Sequence, residues 1–256
     1  KFKGGVADNT AYVSASIYPH KQSIASHGGF SITEYTGTGS NATLPHGLSI
    51  QPTFIMLKPT DHDYSWAGYH KGLGTGSGND KVIRFDTTTM GDQTGAAWQN
   101  DPFQTDDVIT FGTQEGQNGS GDIHILYAWS RVPGLIGVGH YTGNGSNDGT
   151  YVVVEDGHVG FRPKFVMTKR IDHNSGDWWI TDSKIQGTSG HNQFQNQYST
   201  AIYIDAAAKE AAADNNIDFT SNGFKLRNSS ARRNASAVYM YLAFAEHPFS
   251  LNSRAF

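Results

Sequence analysis

The sequence predicts an all-β protein made of two tandem, homologous β-sandwich repeats of a jelly-roll or lectin-like kind, with one short helix in the second repeat. Three observations support this: short segments of alternating polarity bounded by turn residues, a composition that favours strands, and motifs that occur twice in the same order. Glycine contributes 30 of the 256 residues and aromatic residues 12%, whereas charged residues contribute only 16%. This balance suits many short strands and tight turns better than long helices.

The first repeat contains six segments with the alternation and flanking turn residues of strands. They lie near residues 30–36, 53–58, 64–70, 81–86, 107–112 and 122–130. Short strands at this spacing are typical of a sandwich or a barrel.

Four motifs recur in the second half of the chain in the same order. The first pair is a glycine-rich loop, "YTGTGSN" and "YTGNGSN", whose two tyrosines are 106 residues apart. The spacing grows to 115 residues at the last pair, as expected when loops accept insertions and strands do not. The remaining pairs are "QPTFIMLK" with "RPKFVMTK", "DHDYSWAGYH" with "DHNSGDWWITD", and "IHILYAWSRVP" with "VYMYLAFAEHP".

These pairs set the predicted domain boundaries. An N-terminal leader covers residues 1–28 and contains one strand, "AYVSASIY" at 11–18; the first sandwich repeat covers 29–133 and the second 134–256. The helix is predicted at 205–214, "DAAAKEAAAD", because alanine has the highest helix propensity and Asp205 can act as its N-cap.

Charge and composition exclude several classes of function. The net charge of −4 gives no electrostatic attraction to a phosphate backbone, so nucleic acid is not expected as a partner. The chain has no cysteine, which excludes disulfides and cysteine-ligated zinc. No run of about twenty apolar residues occurs, so no membrane insertion is expected.

The duplicated glycine loop has two interpretations. Its backbone N–H groups could bind a phosphate, but phosphate-binding loops lead into a helix, and here the sequence continues without a helical period. The favoured interpretation is a tight turn, in which glycine supplies a positive φ and the serine and asparagine bind local backbone groups.

No metal site, cofactor or catalytic activity is predicted. No two histidines are spaced as ligands on a helix, and the segments "DHD" and "DHNSGD" resemble a calcium loop only loosely, so His62 and His173 are expected to be exposed turn residues. Hydrolase motifs are missing. Carboxylates such as Asp106, Asp107, Glu115 and Asp122 are candidate acids only in principle, because their separation depends on the tertiary fold.

The aromatic residues fall into two groups. Those at duplicated positions in apolar strands are predicted to be core residues, namely Trp66, Trp129, Trp179 and Phe244. Trp98 and Trp178 lack a counterpart in the other repeat. They are therefore the predicted binding residues, since a flat ring with a polar edge suits contact with a sugar or a protein partner.

The order of these segments resembles a duplicated β-rich module of virion proteins of tailed bacteriophages, often marine phages, where it occurs towards the C-terminus of tail-fibre-like chains. The resemblance spans almost the whole sequence. Its most specific parts are "SNGFKLR" at 221–227 and "YMYLAFAEHPF" at 239–249.

The resemblance implies a structural virion protein exposed on the phage particle. It favours a tail fibre or a receptor-binding, adhesive module that recognises a host cell surface; the alternative is a capsid decoration, head fibre or tail connector protein with a purely structural role. It also implies other virion proteins as partners, a host surface glycan or protein as ligand, and a homo-oligomer, expected to be a trimer. It carries no catalytic residue over to this chain.

Overall fold

The computed structural model describes residues 2–5, 15–48, 50–73, 81–87, 90–92, 96–99, 101–154, 160–173, 176–184, 197–204, 211–230 and 232–248. The protein is nearly all β, which confirms the predicted fold class. Within these residues the helical segments are one α-helical turn, α1 (Glu115–Asn118), and one 3₁₀ turn, Lys71–Leu73.

The chain forms two compact units. Unit 1 comprises Lys1–Phe85 and Met90–Ser130, and unit 2 comprises Asp86–Thr89 and Arg131–Phe256. The predicted leader is not separate from unit 1, because its second strand pairs with the first strand of the predicted repeat, with Ser23 opposite Ile32.

Unit 1 contains an eight-stranded antiparallel sheet and a two-stranded sheet. The large sheet has the order β1-β2-β3-β10-β5-β6-β7-β8, and β4 pairs with β9. The strands are β1 (Phe2–Gly5), β2 (Lys21–Ala25), β3 (Phe30–Thr36), β4 (Ala42–Pro45), β5 (Phe54–Pro59), β6 (Ala67–His70), β7 (Lys81–Arg84), β8 (Met90–Asp92), β9 (Val108–Phe111) and β10 (Ile123–Trp129).

Unit 2 contains eight strands in the order β11-β18-β13-β14-β15-β16-β17-β12, all paired antiparallel. The strands are β11 (Ile136–Thr142), β12 (Tyr151–Val153), β13 (Pro163–Arg170), β14 (Trp179–Asp182), β15 (Gln197–Tyr203), β16 (Ala211–Thr220), β17 (Gly223–Leu226) and β18 (Val238–Ala245).

The two units share a strand order. In unit 1 the central run is β3-β10-β5-β6-β7-β8, and in unit 2 the corresponding run is β11-β18-β13-β14-β15-β16. The pair β4–β9 has its counterpart in the pair β12–β17. That the units arose by duplication stays a prediction, and the matched strands make it possible to compare equivalent positions.

Alternation along each strand places one face in the core. In β3 the buried residues are Ser31, Thr33 and Tyr35, and the ring of Tyr35 lies 5.3 Å from that of Phe111 on β9. The two-stranded sheet therefore covers the inner face of the large sheet. Buried polar groups also join the layers, since Ser31 donates a hydrogen bond to the carbonyl oxygen of His46.

In unit 2 the core likewise lies between two layers. Its buried cluster joins the strands β11, β13 and β18 to the strands β12, β16 and β17. Phe224 on β17 makes edge-on contacts with Tyr141 and Tyr241, at ring-centroid distances of 5.8 and 5.7 Å. Such aromatic contacts add about 0.5–1.5 kcal/mol each to the stabilisation from burial.

The helix predicted at 205–214 is wrong where the structure describes it. Residues 211–214 belong to strand β16, and Ala211 and Ala212 lie opposite Ala201 and Thr200 of β15; residues 205–210 lie outside the described residues. A ten-residue alanine-rich segment is too short to form a stable helix alone, and pairing with a neighbouring strand outweighs its intrinsic propensity.

The leader strand predicted at 11–18 is also misplaced. Residues 15–18 are irregular and 11–14 lie outside the described residues, while the strands of this region are β1 and β2. The buried side chains Ala15 and Ile17 explain the apolar alternation without a strand. Instead of pairing along an edge, the segment is held by Thr43, whose carbonyl oxygen accepts hydrogen bonds from the N–H groups of Ser16 and Ile17.

Within the described residues, no helix has the length and apolar character that crossing a membrane requires.

Candidate functional site

The outer face of the large sheet in unit 1 carries a group of aromatic side chains that keep part of their surface accessible. We call Phe30, Trp66, Tyr127 and Trp129 the outer aromatic face. Tyr127 and Trp129 are nearly parallel, at 17° and a centroid distance of 6.2 Å. Phe30 lies 6.5 Å from Tyr127 and 5.0 Å from Trp129, and the ring of Trp66 lies 6.1 Å from Tyr127. The angles between neighbouring rings range from 17° to 40°, so the four rings form a contiguous, partly accessible apolar cluster.

Strand register explains why these rings meet. Alternation along β10 buries Leu126 and Ala128 in the core and turns Tyr127 and Trp129 to the opposite face. Trp129 lies opposite Phe30 of β3, one strand away. Directly opposed side chains on neighbouring strands are about 4.5–5.5 Å apart at Cβ, so large rings in these positions touch.

The outer aromatic face has a rigid support at one end. Phe54 of β5 is fully buried, lies opposite Trp129 and stacks against it at 5.3 Å and 25°. Phe54 in turn contacts Phe85 and His70, at 5.9 and 6.2 Å. The Trp129 ring is therefore held from the side by a neighbouring strand, which lowers the entropic cost of ordering it against a ligand.

Polar groups border this face. Lys21 and Glu34 form an exposed ion pair at 3.0 Å, on strands β2 and β3. On β5, Lys58 donates a 2.5 Å hydrogen bond to the carbonyl oxygen of Tyr64. An apolar ring surface with hydrogen-bonding groups at its edge matches a sugar ring, which has a flat C–H face and a rim of hydroxyl groups.

Unit 2 does not repeat this exposed surface. By strand equivalence Ile136 and Val138 replace the residues at positions 30 and 32, and Leu242 replaces Tyr127. All three are buried. Two rings are partly accessible here, those of Phe244, the counterpart of Trp129, and of Phe165, and they contact each other at 5.5 Å. Among the described residues, the cluster of four partly accessible rings at this place thus occurs in unit 1.

The two predicted binding residues are both fully buried. Trp98 donates a hydrogen bond from Nε1 to the carbonyl oxygen of Lys81 at 3.1 Å and packs against Tyr69 and Phe111. Trp178 lies under the ammonium group of Lys169, whose Nζ is 5.2 Å from the ring centroid. Contact with a ligand requires an accessible ring, and neither ring is accessible.

Register also revises one of the predicted pairs. Leu57 lies opposite Ala67 in unit 1, and Thr168 lies opposite Trp179 in unit 2. Trp179 is therefore the counterpart of Ala67, and Trp178 is the counterpart of Trp66. The core prediction is confirmed for Trp179, which is fully buried, but Trp66, Trp129 and Phe244 are only partly buried.

A cluster of metal-ligand residue types occurs at one end of unit 1. Ligand atoms of Asp61, His62 and Asp122 all lie within 4.8 Å of one another, and Nδ1 of His62 is 3.3 Å from Asp122. Asp61 has a structural task, because it accepts a hydrogen bond from the N–H of Ile123 at 3.0 Å.

The equivalent residues of unit 2 indicate what the aspartate does in both units: it accepts a hydrogen bond from the first backbone N–H of a strand. Asp172 accepts a hydrogen bond from the N–H of Val238 at 2.9 Å, as Asp61 does from Ile123, while Ala237 stands where unit 1 has Asp122. His173 is exposed like His62, as predicted for both. We therefore attribute the two aspartates to capping the first residue of β10 and of β18.

The duplicated glycine loops are turns held from the side by buried asparagines. In unit 1 Asn118 accepts a hydrogen bond from the N–H of Thr38 at 2.8 Å and donates to the carbonyl oxygen of Ser40 at 2.6 Å. Gly37 packs so closely that an added Cβ would lie 2.2 Å from the carbonyl oxygen of Gly119. These contacts use the loop's backbone groups internally, which supports the turn interpretation.

Sequence reasoning missed both asparagines and the outer aromatic face. Asn118 and Asn234 do occupy comparable places before the last strand of each half, but the segments around them differ, "EGQNGSGD" against "ARRNASAV". Tyr127 was missed because Leu242 replaces it, so only comparing exposure between the two units could have identified it.

A family model described as a domain of unknown function, DUF7483, matches residues 3–248, a range that includes strands β2 to β18 of the two units. No curated protein matches the chain, and no solved structure does.

Proposed function

The chain belongs to the DUF7483 family, and we propose that it is a structural, adhesive component of a tailed-phage virion: a tail fibre or receptor-binding module that contacts a host surface glycan through the outer aromatic face of unit 1. Two lines of reasoning support this proposal. The segment order resembles phage tail-fibre-like modules, and a rigid β-sandwich is a suitable scaffold for a binding surface.

The observation that carries the proposal is the difference between the two units. The same strands bear Tyr127 and Trp129 in unit 1 but Leu242 and Phe244 in unit 2, and among the described residues the cluster of four partly accessible rings at this place occurs in unit 1. Partly exposed rings contribute less to the core than fully buried ones do. They match the flat face of a pyranose, and aromatic anchors of this kind dominate the energetics of many binding surfaces.

Binding can be tested with the purified chain on an array of bacterial lipopolysaccharides and capsular polysaccharides. We expect saturable binding to a subset of the glycans. Trp129→Leu and Tyr127→Leu keep apolar volume but remove the flat ring, so each should weaken binding about tenfold, equivalent to about 1.4 kcal/mol. Phe244→Leu alters the equivalent strand position in unit 2 and should leave binding unchanged.

Three outcomes would oppose the glycan assignment: no binding to any polysaccharide, equal affinity in the Leu variants, or an equal loss in Phe244→Leu. Copy number per virion, counted by mass spectrometry, then separates the two virion roles. A few tens of copies fits a fibre, whereas hundreds fits a capsid decoration protein. Light scattering on the purified chain tests the proposed trimer.

A further inference from the structure

The side chain of Arg233 is buried in unit 2, and two of its three nitrogen atoms have no hydrogen-bond acceptor among the described residues. Its side chain has no exposed surface. Nη2 donates a hydrogen bond to Oγ1 of Thr181 at 2.9 Å, and the guanidinium carbon lies 5.1 Å from the ring centroid of Trp179. Nε and Nη1 find no acceptor in the part of the chain that the structure describes.

The charge of this guanidinium is not balanced by a carboxylate among the described residues. Asp177 pairs instead with the neighbouring Arg232, at 3.7 Å. Burial lowers the pKa of Arg233 to about 10, which leaves it protonated at neutral pH. An unpaired charge in a protein interior is costly, so a compensating group is expected.

A second donor without an acceptor lies in contact with the first. Nε1 of Trp179 is buried and has no partner among the described residues. The same ring is approached by Arg232, at 5.7 Å, and by Tyr203, at 4.3 Å. Within the described part of the chain, the N–H groups at three nitrogen atoms of two touching side chains thus lack an acceptor, and no carboxylate pairs with them.

The fold does not require an arginine at this position. In unit 1 the equivalent residue is Gln117, whose carbonyl oxygen accepts a hydrogen bond from Tyr35, as that of Arg233 does from Tyr141. Gln117 is also buried but carries no charge. The positive charge is therefore an addition particular to unit 2, not a structural requirement of the turn.

We propose that Arg233 and Trp179 form a buried binding site for a small anion in unit 2. The ligand is an acceptor with one negative charge and no bulky substituent, either a halide such as chloride or a small carboxylate such as formate. It accepts hydrogen bonds from Nε or Nη1 of Arg233, neutralises the enclosed charge and stabilises the folded unit.

The test is urea unfolding of the full chain at constant ionic strength. Sodium chloride or sodium formate replaces sodium gluconate in steps. Gluconate is the reference salt because its anion is too large for an enclosed site. Above the dissociation constant, each tenfold rise in the bound anion should raise the folding equilibrium constant about tenfold. The chloride and formate series distinguish the two ligands. Arg233→Gln, which installs the residue of unit 1, should abolish the dependence.

Arg232→Gln is the matched control, because Arg232 also approaches Trp179 but its side chain is 57% exposed. This variant should keep the anion dependence of the wild type. A bromide-soaked crystal of the wild-type chain should show an anomalous peak beside Nε or Nη1 of Arg233, and this readout holds even if Arg233→Gln fails to fold. Stability independent of both anions, a map without such a peak, or equal loss in Arg232→Gln would each overturn the proposal.

Discussion

Asn234 binds Asn144 through both ends of its side-chain amide: Oδ1 accepts a hydrogen bond from the backbone N–H of Asn144 at 3.1 Å, and Nδ2 donates to its side-chain Oδ1 at 2.9 Å. Asn118 makes the corresponding pair of contacts with Thr38 in unit 1. Each asparagine therefore fixes the duplicated glycine loop against the turn that precedes the last strand of its unit. This explains the repeated loop sequence through folding alone.

Replacing either buried asparagine with alanine should destabilise the protein substantially. Asn118→Ala removes hydrogen bonds to the carbonyl oxygens of Ser40 and Gly112, and Asn234→Ala removes those to Ser146 and Asn228, so partly or fully buried backbone groups lose a partner. Each unsatisfied buried group costs about 1–3 kcal/mol, so we expect a loss of about 2–4 kcal/mol in either variant. Urea unfolding monitored by tryptophan fluorescence measures it.

The same loops provide matched controls for these two variants. Asn41 and Asn147 close the repeated heptapeptides, and both are exposed. Asn41→Ala and Asn147→Ala should change the free energy of unfolding by less than about 0.5 kcal/mol. Equal effects of exposed and buried substitutions would show that the hydrogen-bond networks do not hold the loops.

Local sequence patterns predicted most of the strands, but they also predicted a helix where the structure has a strand. The alternation in "FSITEYT" places β3 at Phe30–Thr36, with the same bounds as predicted. At 211–214, alanine propensity pointed to a helix, yet the register with β15 made this segment a strand. Alternating polarity shows which face of a strand is buried. A run of alanines has no such alternation, so tertiary pairing determines its secondary structure.

The functional surface was less predictable than the fold. The sequence predicts Trp98 and Trp178 as binding residues because neither has a counterpart in the other repeat, but both side chains are buried in the core. Exposure depends on what covers a strand, and that is a property of the tertiary structure. Trp129 was assigned to the core because it recurs as Phe244, although its ring stays partly accessible.

Truncating Trp98 or Trp178 should affect stability and not ligand binding. Trp98→Ala and Trp178→Ala each remove a fully buried indole, which costs about 3–5 kcal/mol including the cavity left behind. Trp66→Ala removes a partly exposed ring and should cost less. Thermal unfolding ranks the three variants. If Trp178→Phe, which keeps the core filled, abolished glycan binding while the fold stayed intact, the original binding prediction would be restored.

Stability should fall as the pH drops from about 7 to 5, because two buried histidines are held neutral. Burial lowers the pKa of His46 and of His124 from the usual 6.5. Nδ1 of His46 accepts the N–H of Leu48 at 3.0 Å and its Nε2 contacts the carbonyl oxygen of Asp106 at 2.7 Å, so the ring is bound as the neutral form with the proton on Nε2.

The sign follows from comparing the two states. As the pH falls through 6.5, the two histidines bind protons in the unfolded chain but stay neutral in the folded chain. The free energy of unfolding therefore decreases until the pH passes the lowered pKa values of the folded state. Carboxylates act in a lower range, since the hydrogen bond from Lys225 lowers the pKa of Asp148 below its usual 3.8. Urea unfolding between pH 5 and 7.5 should therefore isolate the histidines. The double variant His46→Gln, His124→Gln should flatten the dependence of the free energy of unfolding on pH. The exposed residue His173 provides the control, since His173→Gln should leave this dependence unchanged. A wild-type stability independent of pH in this range would contradict the assignment.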